Sequence, residues 1–274
     1  MPRPDRPRVH REVVSYVRRS ARMNASQEKA WETLADRFIV DVPARELSTS
    51  VHPDAHVDWA AEFGREAPLF VEIGSGRGEA LVALAALHPE ANVVAFEVFQ
   101  PAVASTLSRI NRHGVTNVRV VLANGVEGLE HLFAPGSVVE LWTFFPDPWH
   151  KPRHHKRRLV SPEFAALVAA RLTPDGTWRL ATDWQDYAEA MREVLDPAPG
   201  LVNAHGGWAP RFAERPLTKY EQRGLDAGRE VRDLTYRRAD APSPDQPDAD
   251  ADVPTVPDLL HRTPRPGASG EVPL

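Results

Sequence analysis

Leu69-Phe70-Val71-Glu72-Ile73-Gly74-Ser75-Gly76-Arg77-Gly78 begins as an apolar run interrupted only by Glu72 and ends on three glycines two residues apart. A short apolar run closed by a turn reads as a buried strand. Glu79–Leu87 follows as a helix, stopped by His88-Pro89. The alternation then repeats: residues 92–97 form a second strand, 101–113 a helix stopped by Gly114, 118–122 a third strand and 138–145 a fourth. Ser161-Pro162 starts a helix through Leu172, residues 176–181 form a fifth strand and 187–195 a helix. Two further strands fit at Leu201–Asn203 and 231–236. Alternating strands and helices with crossovers of this length imply an α/β fold, a doubly wound, mostly parallel seven-stranded sheet. Residues 27–38 add a helix ahead of it.

The glycine loop has a chemical bias. A dinucleotide-binding loop carries Gly-x-Gly-x-x-Gly, whose last glycine allows close helix–strand packing. Here the third glycine comes one residue early, at Gly78, and Glu79 takes the usual position. Carboxylates at Glu72 and Glu79 are poor company for a pyrophosphate at a helix N-terminus. They suit a ligand with an ammonium or sulfonium group and no phosphate, which is the chemistry of S-adenosylmethionine. Gly74 and Gly76 let the backbone approach such a ligand. Glu97, ending the second strand, is placed to accept from both ribose hydroxyls. Asn124, just past the third strand, can bond an adenine edge.

The fourth strand runs into Phe144-Phe145-Pro146-Asp147-Pro148-Trp149. Proline fixes φ and removes a donor, so two prolines hold Asp147 in a stiff, non-helical presentation. The carboxyl edge of such a sheet is where ligands bind. Asp183 follows the fifth strand at the same rim. Thr218-Lys219-Tyr220-Glu221, read as a loop after Pro216, puts a hydroxyl, a cation, an aromatic ring and a carboxylate within four residues.

Charge is unevenly distributed. Residues 1–22 hold seven arginines against Asp5 and Glu12, and Lys151-Pro152-Arg153-His154-His155-Lys156-Arg157-Arg158 lies in a stretch without acids from Pro148 to Pro162. A block of one sign at this density suggests a phosphate partner. The chain's net charge of −5 is the net charge of residues 240–274 alone, so the remainder is balanced and an anionic partner is not disfavoured. That terminal stretch, with eight prolines and seven acids, reads as a disordered tail. The division implied is a basic arm and helix over 1–45, a catalytic domain over 46–239 and a tail over 240–274. The chain has no cysteine, which excludes disulfides, iron–sulfur clusters and thiolate zinc sites, and no metal site is expected. The chain has no apolar run of spanning length and no secretory signal, so a cytoplasmic protein without membrane contact is expected.

Phe144-Phe-Pro-Asp-Pro-Trp-His-Lys151 with the following Arg-His-His-Lys-Arg-Arg resembles the bacterial tRNA (guanine-N7)-methyltransferases. So do Val71-Glu-Ile-Gly-Ser-Gly-Arg-Gly78, Ala181-Thr-Asp-Trp184, and Thr218-Lys-Tyr-Glu-Gln-Arg-Gly224 with Gly228 and Val231-Arg-Asp-Leu234. The likeness runs from about Arg11 to Arg238. It implies a Rossmann-like class I methyltransferase fold, S-adenosylmethionine held at Glu72, Gly74, Gly76, Glu97, Asn124 and Asp147, and Asp147 as the catalytic candidate. It also implies tRNA as partner, with substrate contacts at Lys151, Asp183, Thr218, Lys219, Tyr220 and Glu221. RNA contacts are implied at Arg153, His154, His155, Lys156, Arg157 and Arg158. No obligate protein partner is implied, and the chain is expected as a monomer or homodimer. Three other readings stand beside it: methylation of an exocyclic base amine, a non-catalytic RNA-binding module, and a dinucleotide oxidoreductase, which the early third glycine disfavours.

Overall fold

Four strands in sequence, β1 (Leu69–Ile73), β2 (Asn92–Phe96), β3 (Val118–Val121) and β4 (Val138–Phe144), are mostly buried along their length. Near-continuous apolar runs of this kind belong to parallel strands covered on both faces. The structure, a computed structural model, describes residues 22–45 and 49–239. The sequence 1–21 and the acidic stretch 240–274, with the expectations attached to them, lie outside the described residues. With β5 (Leu172–Thr182), β6 (Leu201–Asn203) and β7 (Arg232–Arg238), the strands form one seven-stranded sheet in the order β3-β2-β1-β4-β5-β7-β6. Pairing is parallel from β3 through β5; β7 runs antiparallel to both its neighbours. The doubly wound, mostly parallel α/β sheet expected from the sequence is the one observed. Strand order reverses between β1 and β4, and the crevice beyond their carboxyl ends is the topological switch point.

Helices α1 (Ala25–Phe38), α3 (Glu79–Leu87) and α4 (Gln100–His113) pack with one another on one side, while α5 (Gly125–His131), α6 (Pro162–Arg171) and α7 (Gln185–Leu195) pack in sequence on the other. Side chains alternate along β4 to serve both layers, Leu141 entering one core and Trp142 and Phe144 the other. At nine residues α3 is too short to persist alone, and its burial of Leu81, Leu84 and Ala85 on the sheet supplies what local propensity does not. Asn24 and Gln27 form a capping box at the start of α1, and the Gln27 amide donates to the Pro101 carbonyl at 2.7 Å, tying α1 to α4. Beyond α1, Val40 N–H donates to the Val120 carbonyl and covers the β3 edge. A short helix, α2 (Trp59–Phe63), stacks Trp59 on Phe133 at 5.1 Å.

Two local expectations are corrected. The fifth strand begins at Leu172, not 176, because Leu172 already pairs with Val138 before an irregularity that lets Pro174 sit inside the strand; α6 accordingly ends at Arg171. The segment after Pro216 is not a loop at Lys219. It starts helix α8 (Lys219–Asp226), with Thr218 as its N-cap accepting from Glu221 N–H at 3.1 Å.

Candidate functional site

Three alternate glycines bend the chain out of β1, with φ of +80° at Gly74, +55° at Gly76 and +71° at Gly78. These are left-handed conformations that a Cβ resists. At Gly78 an added Cβ would also lie 2.7 Å from Thr106 Cγ2, so this turn has no room for another residue. Glu97, at the exit of β2, fixes the loop from across the crevice. Its Oε2 accepts from Gly76 N–H at 2.8 Å, and its Oε1 accepts from Val98 and Phe99 N–H at 2.8 and 2.9 Å. A carboxylate has roughly four acceptor positions, so capacity is left for a hydroxyl group. Burial raises the Glu97 pKa against these bonds, and the Asp147 charge adds to the rise.

Glu72 is the unusual group. It is 3% exposed, and its Oε2 has no hydrogen-bond partner among the described residues. Burial, assisted by the Glu97 charge, pushes its pKa up to about 8. A buried carboxylate without a donor is costly, and the chemistry that relieves it is a cation arriving from the crevice. The neighbouring Ser75 hydroxyl is likewise buried without a partner.

These groups line one cavity of about 760 Å³, within the usual range for small-molecule sites. The structure brings Glu72, the glycine loop, Glu97, Asn124, Phe145, Asp147, Thr218, Lys219 and Tyr220 to the lining of this one cavity. Asn124 is also the N-cap of α5, accepting from Val126 N–H at 3.0 Å. Asp147 stands between two residues in the left-handed region, Phe145 at φ +52° and Trp149 at +48°. Each such non-glycine residue costs about 1–3 kcal/mol and persists only where surroundings over-determine it.

The surroundings are visible. The Arg215 guanidinium lies 5.2 and 5.4 Å from the Phe144 and Phe145 rings and is fully buried. It bonds both oxygens of Asp233 and reaches Glu221 Oε1 at 3.1 Å; Arg211 closes the cluster on Glu221 at 3.0 and 3.1 Å. Glu221, expected at the substrate, is therefore an internal anchor of α8. Burial alone would raise its pKa, but the bonds from Arg211 and Arg215 outweigh that and lower it. Asp183 is similarly engaged: it is 6% exposed and accepts from Arg229 Nε at 2.7 Å. Gly224 lies so close that a Cβ there would sit 2.6 Å from Asp183 Oδ2, which seats α8 against the β5 rim. Neither Asp183 nor Glu221 lines the cavity.

The basic block forms a short 3₁₀ turn, Pro152–Arg157, outside the cavity. Lys151, Arg153 and Lys156 are exposed, and Arg157 lies 4.8 Å over the Trp149 ring. His154 packs edge-on against Trp149, and desolvation with the nearby cations lowers its pKa. Arg158 departs from the expectation. Its side chain is only 8% exposed, donating to the Pro148 carbonyl at 3.0 Å and to Asp186 at 2.6 Å. His155 points to the same acid, 4.0 Å away. Arg158 therefore braces the Asp147 turn onto α7. Arg157→Glu is expected to weaken polyanion binding and flatten its salt dependence, whereas Arg158→Ala is expected to lower stability by about 1–2 kcal/mol, because the Pro148 carbonyl loses its donor while half-exposed Asp186 returns to water. Thermal melts and salt-dependent binding separate the two; equal effects on binding and equal stability contradict this division.

The sequence pattern does not single out Arg215, an isolated arginine between Glu214 and Pro216 whose partners lie on α8 and β7. Among the described residues no group of His, Asp and Glu could hold a metal, and no helix is long and apolar enough to cross a membrane.

The family described as "Putative methyltransferase" matches residues 66–234. The chain is 55% identical over 236 residues to a tRNA (guanine-N(7)-)-methyltransferase of Cutibacterium acnes, covering 85% of this chain and 86% of that one. It is 51% identical to the protein of that name from Nocardioides sp., covering 84% and 89%, and 45% identical to the one from Acidovorax sp., covering 82% and 86%.

Proposed function

The chain belongs to the family of tRNA (guanine-N(7)-)-methyltransferases, and from that membership we propose that it transfers a methyl group from S-adenosylmethionine to N7 of a guanine in tRNA. The observation that carries the site assignment is the convergence of Glu72, Glu97 and Asp147 on one cavity. When bound, S-adenosylmethionine supplies an electrophilic methyl group on a cationic sulfur. The residues present fit that group. Glu72, with an orphaned buried oxygen, accepts from the ammonium; Glu97 accepts from a ribose hydroxyl; Asn124 faces the adenine side.

Guanine N7 is an acceptor with an exposed lone pair, so no proton has to leave and no general base is required of the chain. What the chain supplies is alignment and exclusion of water. The methylated purine gains positive charge, and Asp147, held rigid by its prolines and flanking rings, stabilises that charge. Tyr220, 49% exposed and 5.3 Å from the Phe145 ring, offers a face on which a base can stack. Lys151, Arg153, Lys156 and Arg157 contact phosphates, which position the RNA without specifying the base.

Unmodified tRNA incubated with labelled S-adenosylmethionine is expected to yield 7-methylguanosine on nucleoside analysis. A methyl on an exocyclic amine, or none, refutes the reading.

Glu72 gives a pH signature. With its pKa near 8 in the free protein, Glu72 is mostly protonated at pH 7, and a cationic ligand favours the ionised form. Binding therefore expels a proton, and affinity for S-adenosylmethionine is expected to rise by up to about tenfold per pH unit from pH 6 to 7.5. The window stops there because the ligand's own amino group begins to lose its proton. Titration calorimetry in buffers of different ionisation enthalpy measures the released proton, and Glu72→Gln abolishes it. For folding the sign is opposite: a raised carboxyl pKa means stability of the free protein falls as pH rises from about 4.5 to about 8, and Glu72→Gln removes that slope.

A further inference from the structure

Beside the large cavity lies a second one of about 230 Å³, and the two share wall residues including Arg77, Glu79 and Lys219. Its chemistry is different. Arg77, Arg109, Arg112 and Lys219 converge there against one carboxylate, Glu79. That carboxylate is already engaged: Oε1 pairs with Arg109 at 3.3 Å, and Oε2 accepts from Lys219 backbone N–H at 2.7 Å. Arg109 Nε also donates to the Arg77 carbonyl at 3.4 Å, which fixes the arginine across the cavity. Among the described residues, Arg77, Arg112 and the Lys219 ammonium form no ion pair. Ser105 and Ser108, whose hydroxyls donate to the Pro101 and Ala104 carbonyls, and the N-terminal end of the 14-residue α1 complete the wall. Converging cations and the positive end of a helix are elements of phosphate recognition.

We infer that this cavity binds a backbone phosphodiester of the RNA substrate, a second grip that rests on the tRNA reading above. Its position supports this. Arg109 and Arg112 belong to α4, in the α1–α3–α4 layer, whereas the turn Pro152–Arg157 leads directly into Arg158, which is braced on α7 in the opposite layer. A polyanion lying across the carboxyl rim of the sheet thus meets cations on both sides of the large cavity. One patch alone leaves the RNA free to pivot about it; two fix the orientation of the target base. Phosphate contacts of this kind act on register and orientation rather than on sequence.

The test uses the full-length protein with Arg112→Gln and Arg112→Glu. Arg112 is exposed in the last turn of α4 and lines only the smaller cavity, so the glutamine variant keeps the fold. For the glutamate variant the Kd for tRNA is expected to rise roughly tenfold or more at about 0.1 M salt. For the glutamine variant the slope of log Kd against log salt is expected to fall by about one. KM for tRNA rises in both, while affinity for S-adenosylmethionine, measured directly, is unchanged. Unaltered tRNA affinity and slope in both variants overturn the inference. So does an equal loss from Lys29→Glu, an exposed cation on α1 outside the cavity, since the effect is then a diffuse one. In either case the parent protein still methylates tRNA; a parent that makes no 7-methylguanosine removes the underlying reading instead.

Discussion

Arg215→Ala is expected to destabilise the domain by about 3–5 kcal/mol and to lower the melting temperature by about 10 °C. The arginine is fully buried and is the link between Glu221 and Asp233; removing it strands Asp233 in a low-dielectric interior and leaves Glu221 with Arg211 alone. Breaking one partner of a buried cluster costs far more than the cluster contributes against an apolar replacement. The same side chain touches the Phe144 and Phe145 rings, so the Asp147 turn loses its support at once. A double-mutant cycle distinguishes an ionic cluster from mere packing. Glu221→Gln is expected to cost at least about 1 kcal/mol less in the Arg215→Ala background than in the parent. Additive effects sink this account.

Asp147→Ala is expected to lower kcat/KM for tRNA by about 10²–10³-fold, the range for losing a preorganised group aimed at developing charge. Melting temperature should hold or rise, because the turn carries two left-handed non-glycine residues whose strain serves this carboxylate. Asp147→Asn discriminates between roles. If charge stabilisation dominates, asparagine behaves like alanine; if hydrogen bonding alone suffices, asparagine recovers most of the rate. A loss below about fivefold in both variants removes Asp147 from the chemistry.

The sheet and the near side of the site were legible because both follow from local pattern. An apolar run ending in glycines places Glu72 at a strand exit, and the next strand places Glu97 opposite it, so their convergence is a consequence of parallel topology. The residues held in ion pairs share a different property. Arg158, Asp183 and Glu221 look like free charges in linear order, since nothing nearby neutralises them. Their partners Asp186, Arg229 and Arg215 arrive from other elements. Ion pairing across elements leaves no periodic trace. The α8 helix was legible in principle, because Thr218-x-x-Glu221 is a capping-box spacing, but Pro216 and the polar composition suggested a loop. The strain at Phe145 and Trp149 had no sequence signal beyond the prolines between them. Phenylalanine and tryptophan are unlikely choices for a left-handed backbone.

The antiparallel β7 lies between β5 and β6, although it follows both in the chain. During synthesis, β6 therefore has no neighbour to join until Arg232–Arg238 has left the ribosome. Asp233, which completes the charge cluster, is on β7. A nascent chain can thus assemble its glycine bend early yet stay incompetent, since the prop under its reactive turn is delivered only after a long intervening stretch of chain.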